Sequence, residues 1–217
     1  MNLVTILLLL SGICWSIVYV DCIRIGIKDK CCAIPFWALV LNFSWELLQT
    51  VLGFKELGVQ TQVIVNSCWV VLDIGIFYTY FKYGFNEFPV SIAKKWFYAW
   101  SIFGLFVSFV IQYYFIKQFG IVVGGSYSAF LQNLLMSVLF IGMLIKRNSS
   151  MGQTMLIAVM KWIGTLAPTI LFGIIGIEKI AGPNQLVLVL GIVISVFDMI
   201  YIILLNKVKH SEKKVLT

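Results

Sequence analysis

Charged side chains are scarce in this sequence, since only 12% of its 217 residues are Asp, Glu, Lys or Arg, and there is one histidine. Soluble domains carry about 25% charged residues, so a soluble fold is excluded. The sequence also has no Walker loop, no aspartate-rich segment of the kind that binds magnesium diphosphate, and no lysine in its last apolar run that would suggest a retinal protein. Its histidine and cysteines show no metal-binding spacing, so we expect no metal site.

Long apolar runs are abundant instead, with 61% hydrophobic residues and a mean hydropathy of +0.99. Each run approaches the roughly 20 residues that a membrane-spanning helix requires. The seven runs are 3–20, 33–52, 62–80, 96–115, 121–145, 154–176 and 185–206. They predict an all-α, polytopic membrane protein with seven transmembrane helices, a single transmembrane domain over 1–206, and a basic cytoplasmic tail over 207–217.

Basic residues indicate the orientation, because cytoplasmic loops collect Lys and Arg. Twelve of the sixteen follow the first, third, fifth and seventh predicted helices, whereas Lys55, Lys117 and Lys179 lie on the opposite side and Lys161 lies within the sixth helix. We therefore expect the N-terminus outside and the C-terminus in the cytoplasm. The net charge of +7 is explained by this topology and by contact with anionic membrane lipid, without a nucleic-acid partner.

The second predicted helix has a polar face. Asn42, Glu46 and Gln49 are spaced i, i+4, i+7, which aligns them on one side of a helix. An ionisable side chain near the middle of a membrane helix costs about 2.5 to 3.5 kcal/mol on insertion scales and usually marks a functional site. Glu46 is therefore the first candidate catalytic residue.

Two further predicted helices contain a buried acid. Asp73 lies on a polar line with Asn66 and Trp69 in the third helix, and Asp198 is followed at i+3 by Tyr201 in the seventh. Ionised in lipid, three carboxyls would together cost on the order of 7 to 10 kcal/mol. A buried carboxyl avoids much of this cost by staying protonated, and a neutral carboxylic acid can donate a proton.

For the other intramembrane polar residues, a structural role is as good an interpretation as a functional one. A buried amide commonly fixes helix packing through an interhelical hydrogen bond worth about 0.6 kcal/mol, and this applies to Asn66, Gln112, Gln132 and Asn133. Lys161 either extends toward the cytoplasmic surface or forms a salt bridge with one of the acids.

Several segments resemble one known family, the small membrane-integral terpene cyclases of fungal meroterpenoid and indole diterpene pathways, which also have bacterial relatives. The similarity runs over most of the chain. The segments that carry it are 42–46 (NFSWE), 69–73 (WVVLD), 132–137 (QNLLMS) with Arg147 and 152–153 (GQ), and 196–201 (VFDMIY). We accordingly expect a multi-pass protein of a bacterial cell membrane.

The resemblance implies seven helices around an apolar cavity, and a reaction that begins by protonating an epoxide or alkene of a prenylated, lipophilic substrate without a cofactor. The two acids held essential in the family correspond to Glu46 and Asp198, and Asp73 is a third candidate. Our hypothesis is that all three acids converge in one cavity that opens toward lipid.

Side chains near these acids are candidates for binding the substrate. They are Asn42, Trp45, Trp69, Asn133 and Tyr201. Aromatic faces can stabilise a carbocation by about 2 kcal/mol or more each where water is excluded.

Two other functions stay open from the sequence. A proton-coupled small-molecule transporter would use the same buried carboxyls as a proton relay. A non-catalytic membrane scaffold would tolerate Glu46→Gln and Asp198→Asn with little loss. The oligomeric state is not indicated.

Overall fold

The computed structural model describes residues 3–89, 91–176 and 182–216, so Lys179 lies outside the described residues. The helices in this part of the chain are α1 (Leu3–Asp29), α2 (Phe36–Leu57), α3 (Thr61–Tyr83), α4 (Lys94–Phe119), α5 (Ile121–Arg147), α6 (Met155–Ile170) and α7 (Gln185–Leu216). A 3₁₀ turn (Gly84–Glu87) follows α3, and a π-helical turn (Leu171–Ile175) continues α6. The prediction of an all-helical protein with seven helices is confirmed.

Six of these helices are long and apolar enough to cross a membrane, and α2 is not among them. The α2 helix has 22 residues, which is sufficient length. Its mean hydropathy is lowered by the polar face that contains Asn42, Glu46 and Gln49. The prediction of an integral membrane protein is thus supported, whereas seven spans and their direction across the membrane stay predictions.

Some helix ends differ from the predicted ones. The α1 helix continues nine residues past the predicted end at Val20, to Asp29, so that Cys22 is a buried helical residue and does not lie in a loop. An ion pair of Arg24 with Asp21 at 2.6 Å lies within this extension. The basic segment predicted as a tail after Asn206 is likewise helical, as the continuation of α7.

The helices form a ring with one helix outside it. In the order α1, α3, α2, α5, α7 and α6, each helix packs against the next, and α6 closes the ring against α1. The α4 helix packs on the outside against α2 and α5. A ring of six helices can enclose a space that a smaller bundle would fill with side chains.

The C-termini of α1, α3, α5 and α7 lie at one end of the ring, which we call the basic end. Arg147, the last residue of α5, donates hydrogen bonds to the carbonyl oxygen of Cys32 at 2.7 Å and to the carboxylate of Glu87. The backbone N–H of Ser150 donates to Glu212 of α7 at 2.7 Å. These contacts hold the connections between helices together at this end.

The hydrophobic core lies in the half of the ring next to the basic end. Tyr80 is central to it, with its ring stacked on Phe36 at 5.3 Å between centroids and close to Phe97 at 4.9 Å. Its hydroxyl is hydrogen-bonded to Ser101. This half is filled by side chains, and the opposite half, which we call the open end, contains a cavity.

Candidate active site

A cavity of about 680 Å³ lies inside the ring. Its walls come from α1, α2, α3, α5 and α6 and the turns next to them, and no described residue of α4 or α7 lines it. The cavity runs from Glu46, near the middle of α2, to Gln60 and Gln62, which are exposed at the open end. It is therefore closed on the side of the core and accessible from the other.

Pro168 shapes one wall of this cavity. A proline inside a helix removes a backbone hydrogen bond. In the structure α6 contains Pro168 and passes into the π-helical turn that starts at Leu171. Pro168, Leu171 and Phe172 all line the cavity, so the irregular part of the helix faces the open space.

Glu46 lies at the inner end of the cavity within a buried hydrogen-bonded cluster. Its Oε1 accepts hydrogen bonds from the hydroxyl of Tyr19 and from Nδ2 of Asn42, the latter at 2.9 Å. Asn42 Nδ2 also lies 3.2 Å from Asp73 Oδ2 and 2.5 Å from the Tyr19 hydroxyl. We call Tyr19, Asn42, Glu46 and Asp73 the acid cluster; it joins α1, α2 and α3.

The two carboxyl groups of the acid cluster are held side by side by Asn42, whose Nδ2 lies 2.9 Å from Glu46 Oε1 and 3.2 Å from Asp73 Oδ2. Two carboxylates that share a buried site repel each other, which favours a proton on one of them. Glu46 is 1% exposed and lines the cavity, whereas Asp73 is fully buried and lies behind it. Glu46 is thus the carboxyl that a molecule in the cavity can touch, and Asp73 is its partner.

Asp198 lies apart from the acid cluster and is paired with Lys161. The Lys161 Nζ donates to Asp198 Oδ1 at 2.7 Å and Oδ2 at 3.0 Å, and to Ser137 Oγ at 2.6 Å. Lys161 and Asp198 are almost fully buried and neither lines the cavity. The expectation that all three acids converge in the cavity is therefore not met: Glu46 lines it, Asp73 lies behind Glu46, and Asp198 is the counterion that the buried ammonium of Lys161 requires. Of the two alternatives for Lys161, the salt bridge is confirmed.

The Lys161–Asp198 pair is nevertheless close to the cavity wall. Thr165 and Asn133 both line the cavity, and Asn133 Nδ2 donates to Thr165 Oγ1 at 2.7 Å. Thr165 in turn donates to the backbone carbonyl of Lys161 at 2.9 Å, and Ser137 donates to the backbone carbonyl of Asn133 at 3.0 Å. One layer of hydrogen-bonded residues therefore separates the ion pair from the cavity.

Two of the predicted aromatic residues line the cavity in fixed orientations. The indole N–H of Trp45 donates to the carbonyl oxygen of Gly125 at 2.8 Å, and that of Trp69 lies 3.1 Å from Ser16 Oγ. The Trp69 ring meets the Tyr19 ring edge to face, with centroids 6.1 Å apart. Because both indole N–H groups are already hydrogen-bonded to the protein, these rings present carbon surface to the cavity.

Tyr201 does not line the cavity, contrary to its expected role in substrate binding. Its hydroxyl donates to Gln153 Oε1 at 3.0 Å, and its ring packs on Phe140 with centroids 5.4 Å apart. The i, i+3 spacing from Asp198 therefore does not produce a contact between the phenol and the acid. Tyr201 belongs to the hydrophobic core.

The buried amides serve packing and the site together. Gln112 of α4 donates to Gln132 Oε1 at 2.7 Å, and Gln132 Nε2 lies 3.5 Å from Asn42 Oδ1. Gln132 lines the cavity and Gln112 does not. This chain of amides connects the outer helix to the acid cluster and fixes the orientation of Asn42.

The sequence did not point to α1 as part of the site. The lining residues on this helix follow one face; they are Val4, Leu7, Leu8, Ser11, Gly12, Trp15 and Tyr19. The i, i+4, i+8 spacing of Ser11, Trp15 and Tyr19 was the available signal, since it places polar and aromatic residues on one side of an apolar helix.

Comparisons with known proteins identify the family. The model of the Pyr4-like transmembrane terpene cyclases matches residues 1–211. The Pyr4-family terpene cyclase mfmH of Annulohypoxylon moriforme is 27% identical over 168 residues, which cover 76% of this chain and 68% of that protein. The terpene cyclase adrI of Penicillium rubens is 27% identical over 184 residues, covering 81% and 70%. The terpene cyclase pyr4 of Aspergillus fumigatus is 29% identical over 100 residues, covering 40% and 41%.

These relatives bear on the earlier expectations. All of them are fungal, so a bacterial origin is not supported. The chain spans two thirds or less of the length of several relatives, such as 65% of the terpene cyclase dpchB of Colletotrichum higginsianum. No solved structure matches.

The relatives are named as cyclases, and the transporter alternative gains no support from them. The match over nearly the whole chain shows that this protein belongs to the family of Pyr4-like transmembrane terpene cyclases.

Proposed function

We propose that this protein cyclises a prenylated, lipophilic substrate by protonating an epoxide or alkene and guiding the carbocations that follow. The observation that carries the proposal is the position of Glu46. Its carboxyl lies at the closed end of a cavity with mainly apolar walls, hydrogen-bonded to Tyr19 and Asn42 and backed by Asp73. A neutral acid held in this way is a proton donor shielded from bulk water.

The reaction conserves atoms and requires no redox partner. Glu46 transfers its carboxyl proton to the epoxide oxygen, and the C–O bond breaks as the electrons of a neighbouring alkene form a new C–C bond. For an alkene substrate the proton is added to carbon instead. The last cation loses a proton to a carboxylate or water, so that the product is an isomer of the substrate. No step calls for a metal or a cofactor.

Asp73 is proposed to hold Glu46 in its reactive state. It accepts a hydrogen bond from Asn42 Nδ2, which also donates to Glu46. When Glu46 gives up its proton, Tyr19 and Asn42 supply donors to the carboxylate that remains. Both charge states of Glu46 are therefore hydrogen-bonded, which lowers the barrier to proton transfer and return.

The walls of the cavity suit cationic intermediates. Trp15, Trp45, Trp69 and Phe130 present aromatic surface to the space that the substrate chain would occupy. Aromatic faces attract a cation by about 2 kcal/mol or more where water is excluded. The surrounding aliphatic side chains offer no nucleophile that would trap a cation early.

Asp198 is proposed to act from outside the cavity. It neutralises Lys161, whose ammonium holds Ser137, and the same stretch of α5 carries Asn133 to the cavity wall. On this proposal Asp198 is a positioning residue, whereas Glu46 contacts the substrate. The importance of the corresponding acid in the family is then explained without a second proton donor in the cavity.

The buried core argues against the transporter alternative. A transporter requires a route that reaches both sides of the membrane in turn. Here the half of the ring beyond Glu46 is filled by packed side chains such as Tyr80, Phe97 and Phe140. The cavity ends at the acid cluster, as expected for a reaction chamber.

The test is to incubate membranes that contain the protein with an epoxyfarnesyl or epoxygeranylgeranyl aromatic compound and identify cyclised product by mass and NMR. The Glu46→Gln variant should lose about 10²- to 10⁴-fold in rate, the usual contribution of a general acid. Glu56→Gln is the matched control, because Glu56 is on the same helix but exposed. Equal turnover by both variants would remove Glu46 from the mechanism.

A further inference from the structure

The polar groups that line the cavity lie at two levels. The acid cluster is at the closed end, and a second group of amides, Gln49, Gln62 and Asn66, lies toward the open end. We call these three the outer amides. Asn66 precedes Asp73 by seven residues on α3, which corresponds to about 10 Å along the helix axis. Between the two levels the walls are mainly apolar.

Two of the outer amides have unused hydrogen-bonding groups although they are buried. Asn66 is 2% exposed and Gln49 is 9% exposed. Asn66 Oδ1 accepts from Gln62 Nε2 at 2.8 Å, and Gln49 Nε2 donates to the carbonyl oxygen of Ile121 at 3.2 Å. Within the described chain no partner is found for Asn66 Nδ2 or for Gln49 Oε1. Both atoms are accessible from the cavity and are not enclosed by protein, so a bound molecule can supply the hydrogen bonds that polar groups in an apolar site normally make.

Charge is nearly absent from the lining. Among the described residues that form the cavity wall there is no Lys, Arg or His, and Glu46 is the only carboxyl. A diphosphate or carboxylate at the level of Asn66 would therefore be buried without a cation, at a high cost in free energy. A neutral group with one hydrogen-bond acceptor and one donor fits Asn66 Nδ2 and Gln49 Oε1.

We propose that the outer amides bind the polar head group of the substrate, with Asn66 donating to it and Gln49 accepting from it. The head group is uncharged and carries a hydroxyl or a hydroxyl with a neighbouring carbonyl, as in a phenol. The prenyl tail then runs inward along the apolar walls and its terminal epoxide or alkene reaches Glu46. This inference rests on the proposed function for the chemistry at Glu46. It adds a binding site for the head group, which we call the anchor and which determines which carbon atoms of the tail lie next to Glu46.

An anchor of this kind has a specific kinetic signature. It binds a part of the substrate that does not react, so its loss affects only substrates that have the head group. A purely structural role of Asn66 would instead lower turnover of every substrate. The comparison of two substrates that differ by a single hydroxyl therefore separates the two roles.

The experiment compares an epoxyfarnesyl phenol with the corresponding epoxyfarnesyl benzene. Asn66→Leu keeps the number and branching of the side-chain heavy atoms and removes the donor, and it should lower kcat/KM about tenfold for the phenol while leaving the benzene unchanged. Ser67→Ala is the control, since Ser67 is the next residue on α3 and does not line the cavity. Equal losses for both substrates, or no loss for either, would overturn the head-group site.

A binding measurement separates this inference from the proposed function. Farnesyl phenol and farnesyl benzene lack the epoxide, and their binding to purified protein can be followed by quenching of tryptophan fluorescence. The phenol should bind about tenfold tighter than the benzene to the wild-type chain, and the Asn66→Leu variant should lose this preference. If no substrate is cyclised but the preference is present, only the proposed function fails. If the wild-type chain binds both equally, the head-group site is wrong.

Discussion

The hydroxyl of Tyr19 donates a hydrogen bond to the carboxyl of Glu46 and so connects α1 to α2 at the closed end of the cavity. The ring of Tyr19 also contacts the ring of Trp69 on α3. One residue of the first helix thus positions both the proposed acid and an aromatic wall.

Tyr19→Phe should retain the fold and the aromatic contact but lower the rate of cyclisation by about tenfold or more. The loss corresponds to one hydrogen bond to a buried carboxyl, worth about 1.5 to 3 kcal/mol when that carboxyl is charged. Tyr113→Phe is the control, because Tyr113 is exposed on α4. Product formation at saturating substrate measures the effect, and an unchanged kcat would show that Asn42 alone orients Glu46.

Asp73→Asn should lower the rate less than Glu46→Gln, because Asp73 does not line the cavity. The amide keeps the side-chain volume but can no longer share a proton with Glu46. Two interacting carboxyls titrate as a pair, so the pH–rate profile of this variant should lose one ionisation. A profile identical to that of the wild-type chain would mean that the two carboxyls do not act as a pair.

Single replacements in the Lys161–Asp198 pair should be destabilising. Lys161→Met or Asp198→Leu leaves one buried charge unpaired, at a cost of about 3 to 5 kcal/mol. The double variant Lys161→Met/Asp198→Leu should be at least as stable as either single variant, because apolar residues often replace a buried pair without loss. Thermal unfolding in detergent measures this.

The same double variant tests how Asp198 acts. If Asp198 only positions Lys161 and α5, cyclisation should partly recover in the double variant relative to Asp198→Leu. If the acid takes part in proton transfer, activity stays lost although stability returns. Rates and unfolding temperatures therefore need to be measured on the same preparations.

Arg147→Met should destabilise the basic end by about 1.5 to 3 kcal/mol, the range for hydrogen bonds that involve a charged group. The Arg147 side chain is 6% exposed and contacts both Glu87 and the carbonyl oxygen of Cys32. Lys146→Met is the control, because Lys146 is adjacent and exposed. Similar unfolding temperatures for the two variants would contradict the role assigned to Arg147.

Thiol labelling should report on the turn between α1 and α2. Burial raises the pKa of Cys31 to about 11 and that of Cys32 to about 12. Because the thiolate is the reactive form, both thiols should react slowly with maleimide at pH 8 in the folded protein and quickly after denaturation. Labelling is counted by intact mass in a Cys68→Ala background, because Cys68 is exposed; fast labelling of this variant in its native state at pH 8 would show that the turn opens.

Much of this protein follows from local sequence patterns. The apolar runs predicted all seven helices, and the spacing of Asn42, Glu46 and Gln49 predicted a polar face that does line the cavity. Hydropathy and helical periodicity depend on residues close in the chain, so they can be evaluated without knowing how helices pack. The relation to terpene cyclases likewise came from short segments of the sequence.

Tertiary structure decided which polar residues meet. The ring order brings α1 beside α3 and α6 beside α7, and this packing sets Tyr19 against Glu46 and Lys161 against Asp198. The spacing of residues within a single helix does not predict which neighbouring helix its polar face will contact. The sequence therefore determined which helices contain buried carboxyls. The packing of the helices determined that Glu46 faces the cavity and that Asp198 is neutralised by a lysine, because pairing between helices depends on three-dimensional proximity.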